Sequence, residues 1–135
     1  MAGDCLILGD CIAQGLAGAL KGCLVAAKVG VSSATITSMA PLQTVDVAYI
    51  SSGTNNYKSS VESIVTELER TRKRVYATRI VWILPIPEAP RAAVKRVAIA
   101  HNDQIVSFIG GVGGFQSRVH PASYRALANS IMRSK

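Results

Sequence analysis

Few aromatic residues, little charge and no long apolar run set the first limits on this chain. Only 5% of its residues are Phe, Trp or Tyr, so a core must rest on Val, Ile, Leu and Ala. No apolar stretch reaches the ~20 residues that a membrane-spanning helix needs, which excludes a span of that kind. The N-terminal apolar run has no basic segment ahead of it and is bracketed by Asp4 and Asp10, so it does not read as a secretory signal. The expectation is a cytoplasmic protein, with export by another route left open. Three cysteines are an odd number without metal-ligand spacing, which argues against a disulfide framework and against a zinc site. Cys5 and Cys23 lie in apolar runs and read as core residues. No cofactor is expected, and no repeat, linker or low-complexity segment interrupts the chain.

What is present is a globular composition, 49% hydrophobic and 17% charged, over 135 residues. That length suits one domain spanning 1–135, with a core of its own. The formal net charge of +7 makes an anionic partner plausible. The densest basic run is Arg70, Arg72, Lys73 and Arg74, at the end of a predicted helix, where cations also complement the helix dipole. Nucleic acid is not an expected partner, because no recognised motif and no interleaving of aromatics with the bases accompanies the charge.

The pattern alternates strand and helix. Residues 5–9 form an apolar run ending in Gly9-Asp10, and a helix follows through Leu20. Cys23–Val29 reads as a buried strand, Ser33–Met39 as a short helix and Asp46–Ser52 as the clearest strand. Val61, Ile64, Val65 and Leu68 recur at the spacing of one helix face. Val75–Leu84 reads as a strand ending in an uninterrupted apolar run, Glu88–Ala100 as a helix with Ala92, Ala93, Val97 and Ala100 inward, and Gln104–Ile109 as a last strand. A glycine-rich loop spans 110–114, and Pro121–Met132 closes the chain as a helix with Pro121 in its first turn. This alternation predicts an α/β fold, a three-layer α/β/α sandwich around a parallel sheet. In such folds ligands bind beyond the carboxyl ends of the strands.

Three of the loops at that edge carry groups of complementary chemistry. Cys11 follows the first strand, Asn55 the third, and His120 the glycine-rich loop after the last. Acyl transfer needs a nucleophile, a base and donors for the developing oxyanion. A thiol and an imidazole supply the first two, and a helix N-terminus favours the thiolate. The Asn55 amide with the backbone N–H groups of Cys11 and Ser33 can supply the third. His101 is predicted at the opposite edge, capping a helix, and Trp82 reads as core.

Gly9-Asp10-Cys11-Ile12-Ala13-Gln14-Gly15 resembles the first motif of the SGNH (GDSL-type) hydrolases, which carries their nucleophilic Ser. Val29-Gly30-Val31-Ser32-Ser33 resembles the second motif, with Ser33 in place of the oxyanion Gly, and Gly53-Thr54-Asn55-Asn56 resembles the third, with Asn55 matching the oxyanion Asn. Val119-His120-Pro121, followed by Tyr124 and Leu127, resembles the last, with His120 matching the base. The resemblance runs from about residue 5 to residue 131 and implies a flavodoxin-like five-stranded sheet. It also implies an acyl hydrolase of esterase, thioesterase or amidase type, acting on small-molecule, polysaccharide or peptidoglycan acyl groups. Two departures stand out: Cys11 replaces Ser, and Ser117 replaces the Asp three residues before the His. The pair of changes fits a Cys-His dyad oriented by Ser117, Gln116 or a backbone carbonyl, with Asp10 a weaker orienting candidate. The alternative is an inactive module that binds an anionic ligand or polymer.

Overall fold

A computed structural model of the chain describes residues 4–133. Five strands form one parallel sheet in the order β2-β1-β3-β4-β5: β1 Cys5–Gly9, β2 Leu24–Ala27, β3 Thr44–Ser51, β4 Tyr76–Ile83 and β5 Gln104–Val106. This is the flavodoxin-like order, and it puts β1 and β3 side by side at the switch point. Six helices connect and flank the strands: α1 Cys11–Ala19, α2 Ser33–Met39, α3 Val61–Arg74, α4 Glu88–His101, α5 Phe115–Val119 and α6 Tyr124–Arg133.

The pleat divides the apolar strand residues between two cores. Leu6, Leu8, Ala48, Ile50, Ile80 and Trp82 face α2, α3 and α4. Ile7, Tyr49, Val81 and Ile83 face α1 and α6, meeting Ile12, Leu16, Leu127 and Ile131. Each fully buried Leu or Ile contributes roughly 1.5–3 kcal/mol, so an aromatic-poor sequence still builds two adequate layers. Trp82 is fully buried, as expected of a core residue, and its indole N–H donates to Asp103 at 2.9 Å.

α3 is the best-specified helix. The Ser60 hydroxyl accepts from the Ser63 N–H at 3.2 Å, Glu62 lies in the first turn, and Arg72, Lys73 and Arg74 occupy the last. Ile64 and Leu68 are buried against the sheet, with Val61 and Val65 packed beside them. The basic run at its end is in part neutralised, since Arg72 makes a two-pronged ion pair with Asp103 and Arg70 pairs with Glu67.

Several expectations need correction. Cys5 and Cys23 are not free core residues: they form a disulfide with a Cα–Cα distance of 4.8 Å. An odd cysteine count excluded only complete pairing, and Cys11 is the free thiol among the described residues. β5 stops at Val106, and a short helix, α5, follows the glycine-rich loop where none was expected. Pro121 precedes the last helix: it bridges to Gly110, and Ser123 caps α6 through the Ala126 N–H. On α4 the inward face is Ala93, Val94, Val97 and Ala98, whereas Ala92 and Ala100 are exposed. No helix among the described residues is long and apolar enough to cross a membrane.

The disulfide joins the start of β1 to the residue before β2, closing a sequence separation of 18. A loop of that size constrains the unfolded chain by about 3 kcal/mol. Replacing both Cys5 and Cys23 by Ser should therefore lower the unfolding free energy by about 2–4 kcal/mol in a urea titration. Reductant should lower the wild type by the same amount and leave the double variant unmoved.

Candidate active site

The turn from β1 into α1 is built by its side chains and by the lack of one. Gly9 has φ +147°, and a Cβ there would lie 1.9 Å from the Ser51 carbonyl oxygen, so only glycine lets β1 approach β3 this closely. The Asp10 N–H donates to that same carbonyl at 3.2 Å. The Asp10 side chain then caps α1, accepting from the Ile12 N–H at 3.1 Å and from the Ser51 hydroxyl at 2.9 Å. Cys11 is consequently the first residue of α1, and its N–H is among the helix-end donors that have no intrahelical partner.

His120 arrives from the other end of the chain. The Gly111 N–H donates to the His120 carbonyl at 3.0 Å, and the Ala122 N–H donates to the Ile109 carbonyl at 2.8 Å, so the glycine-rich loop clamps the segment on both sides. A Cβ on Gly110 would lie 2.2 Å from the Arg118 carbonyl oxygen, so that contact needs glycine. His120 Nε2 lies 2.9 Å from Cys11 Sγ, and Nδ1 lies 2.5 Å from the Gln116 carbonyl oxygen. A carbonyl can only accept, so Nδ1 carries the proton and the Nε2 lone pair faces the thiol. Of the orienting candidates, the Gln116 main chain takes the place. Ser117 makes no hydrogen bond to the ring, and Asp10 is buried beneath α1 and occupied as its cap.

The thiol is not pre-ionised by the helix end. Burial pushes the Cys11 pKa up first and the Asp10 charge pushes it further, while the N–H groups of Cys11 and Ile12 pull it down. Burial likewise holds the Asp10 carboxyl above its ordinary value against the pull of Ser51 and the backbone N–H groups. Both of the larger effects on Cys11 thus oppose thiolate formation.

The oxyanion donors divide. Asn55 lies in the 3₁₀ turn Thr54–Asn56 after β3, and its amide spends one hydrogen on the Val31 carbonyl at 2.9 Å, leaving the second. The Ser33 N–H is not available as expected. It donates to the Asn56 side-chain oxygen at 2.9 Å, and Ser33 is buried at the start of α2. Asn56, at the last place of the third motif, thereby ties the second motif to it.

Three aromatic residues lie beside the site, and only Tyr124 among them is picked out from sequence, as part of the last motif and without a role. The Tyr124 ring covers Gly15, one helical turn after Cys11, so closely that a Cβ on Gly15 would lie 2.2 Å from it. Burial, then the nearby Cys11 and Asp10, push the Tyr124 pKa to about 12. A glycine in mid-helix, on the face of the candidate nucleophile, was the available signal. Tyr57 and Phe115 pack with ring centroids 4.8 Å apart, joining the Asn55 turn to α5. His101 is at the opposite edge, at the end of α4, where it meets Glu69 at 2.8 Å while Asn102 serves as the left-handed cap. Among the described residues no His, Cys, Asp and Glu cluster could hold a metal ion.

No protein-family model matches the sequence, and no curated protein matches it. Solved structures do match in fold. The C-terminal catalytic domain of Streptococcus pneumoniae peptidoglycan O-acetyltransferase A superposes with a TM-score of 0.63 at 15% identity, over 98% of this chain and 92% of that one. A provisionally assigned arylesterase from Agrobacterium tumefaciens superposes with a TM-score of 0.65 at 13% identity, over 96% of each chain. The five-stranded α/β architecture of this chain is therefore one it shares with these two proteins.

Asp10→Asn keeps the capping oxygen and removes the buried charge. Because the folded protein holds the Asp10 proton more tightly than the unfolded chain, wild-type stability falls as pH rises from the ordinary carboxyl value through the raised one. The variant should therefore melt higher than wild type at neutral pH, with the gap closing on acidification below that window. Its Cys11 alkylation profile should also shift to lower pH, since one cause of the raised thiol pKa is gone. A pH-independent melting gap would show that no buried charge was relieved.

Proposed function

We propose that the protein is an acyl hydrolase of esterase or thioesterase type that uses Cys11 as nucleophile and His120 as base. The observation that carries this reading is the 2.9 Å approach of Cys11 Sγ to His120 Nε2 with Nδ1 held on the Gln116 carbonyl. That is the arrangement a nucleophile, a base and an orienter need.

The steps follow from the atoms. Nε2 takes the thiol proton as sulfur attacks the acyl carbonyl carbon, and the C=O pair moves onto oxygen. The Cys11 N–H and the free hydrogen of the Asn55 amide receive that oxyanion. Collapse expels the alcohol or thiol, which takes the proton back from Nε2, and leaves a thioester on Cys11. Water, deprotonated by the same nitrogen, then attacks the thioester and releases the acid. Ser33 is omitted, because its N–H is committed to Asn56.

The missing carboxylate is consistent with this choice of nucleophile. A neutral carbonyl stabilises an imidazolium less than an Asp would, and a thiol gives up its proton far more readily than an alcohol. The fold likeness to a peptidoglycan O-acetyltransferase supports acyl groups on cell-wall or other carbohydrates as substrates. The Cys5–Cys23 disulfide supports an oxidising compartment, the alternative of export that the sequence left open.

Activity on a panel of acetyl esters and thioesters should vanish in Cys11→Ala. His120→Ala should lose about 10²–10⁴-fold in kcat and Asn55→Ala about 10²–10³-fold. Cys11→Ser should not restore turnover, for want of a carboxylate behind the imidazole. Mass spectrometry of an acid-quenched wild-type reaction should find the acyl group on Cys11. Wild-type turnover by Cys11→Ala would overturn the proposal.

A further inference from the structure

The bases of this chain are distributed unevenly with respect to the sheet. On the flanks and at the amino edge some of them face acids: Arg72 pairs with Asp103, Arg70 with Glu67, Arg96 with Glu62 and His101 with Glu69, while Lys73 and Arg74 are exposed without an ion pair among the described residues. Asp4 and Asp46 lie at the amino ends of β1 and β3 as well. Around the thiol no base is ion-paired among the described residues. Lys28 follows β2, and its N–H donates to the Gly9 carbonyl at 3.0 Å, which puts it beside the turn that carries Cys11. Lys58 follows the Asn55 turn. Arg118 lies on α5 two residues before His120, and Arg125 is the second residue of α6. All four are exposed, and none has an ion-pair partner among the described residues. The acids that reach this edge do little against them. Asp10 is buried, Glu62 is paired, and only Glu88, over the end of β4, is exposed without an ion pair.

A second observation lies within this ring of charge. Tyr57 and Phe115 remain 44% and 39% exposed although they pack on each other, so their contact leaves apolar ring surface facing out. Lys58 Nζ stands 5.7 Å from the Tyr57 centroid. Phe115 adjoins Gln116, whose carbonyl orients His120, and Tyr57 lies two residues from Asn55. The two rings thus join the turn of the proposed oxyanion donor to the helix that leads to the proposed base, with Lys58 over the Tyr57 ring and Arg118 on the same helix as Phe115. Exposed ring surface accompanied by bases suits a sugar ring that carries a negative group. It suits a neutral acyl chain or a neutral glycan less well, since the bases would then be desolvated without return.

We propose that the substrate is an acylated carbohydrate bearing an anionic group, carboxylate or phosphate, close to the ester. The sugar lies on the Tyr57–Phe115 rings, and its charge is drawn by Lys28, Lys58, Arg118 and Arg125. This rests on the acyl-hydrolase reading and specifies what that site takes. A positive rim also raises the local concentration of such a substrate, an effect that salt screens.

The test compares acetylated glucose with acetylated glucuronate and acetylated glucose 6-phosphate, matched in acetyl content. The expected result is a kcat/KM preference of about tenfold or more for the charged esters at low ionic strength, falling towards parity in high salt. Lys28→Glu with Arg118→Glu should collapse the preference, while Lys73→Glu with Arg74→Glu, at the amino edge, should leave it in place. Discrimination between the glucuronate and the phosphate esters identifies which anion is read. Calorimetric binding of the three esters to Cys11→Ala separates the two proposals. Charge-selective binding without wild-type turnover would retain the anionic ligand and defeat the hydrolase. Turnover of all three esters at equal rates with charge-blind binding would retain the hydrolase and overturn this inference. Equal competition by single-stranded DNA would also overturn it, because the rim would then read any polyanion.

Discussion

The candidate site depends on how β1 is pressed against β3 at Gly9 and Ser51. Without a Cβ at Gly9, the Ser51 carbonyl can receive the Asp10 N–H, and the Ser51 hydroxyl can return a hydrogen bond to the Asp10 carboxyl. That carboxyl in turn starts α1 by capping it. Three local preferences therefore act together, and Cys11 has little freedom left in where its side chain emerges. The cost is a carboxyl held at 0% exposure, one oxygen of which finds no hydrogen-bond partner. Buried polar groups left unsatisfied commonly cost about 1–3 kcal/mol. The molecule tolerates this at the point where its strand, its helix and its nucleophile candidate meet.

Burial and the Asp10 charge both resist thiolate formation, so the helix end alone does not activate Cys11. In the proposed mechanism activation comes from His120, whose other nitrogen is held by the Gln116 main chain. The glycine-rich loop explains how a main-chain orienter can be reliable. It lies antiparallel to the His120 segment, with Gly110 bridged to Pro121, so the loop and that segment are tied to each other. An Asp side chain would stabilise the imidazolium more, and a serine would need it. A thiol needs less. In the proposed mechanism the sulfur at Cys11 and the absence of a carboxylate behind His120 therefore belong together.

Much of this was legible from residues alone, for identifiable reasons. The parallel α/β alternation followed from the patterns, the strand order was implied only by the family resemblance, and α3 carried its own cap and apolar face. Cys11, Asn55 and His120 could be assigned to one sheet edge because each follows a strand. The failures arise where tertiary contacts decide. Nothing local tells that Cys5 and Cys23 adjoin across β1 and β2, since pairing depends on register. The Ser33 N–H is lost to Asn56, a contact between residues 23 apart in sequence. α5 is a single short helix with a basic, glycine-flanked sequence and no apolar period to announce it. The outward turn of Ala92 and Ala100 reflects the weak preference of small residues for either face of α4.

The two edges of the sheet have divided the work. The amino edge carries the disulfide, the Arg72–Asp103 pair and the Trp82 bond to the same carboxylate, all of which tie secondary elements together. The carboxyl edge carries groups that are free to meet something else: a thiol facing an imidazole, half of an amide, two partly exposed rings and four exposed bases. Net charge alone, +7 over the chain, did not distinguish these cases. Of the dense run at Arg70–Arg74, two members are spent on Glu67 and Asp103. The bases around the candidate site are scattered singly through the sequence and converge only in the fold. A charge is available for recognition only where no acid has already been packed against it.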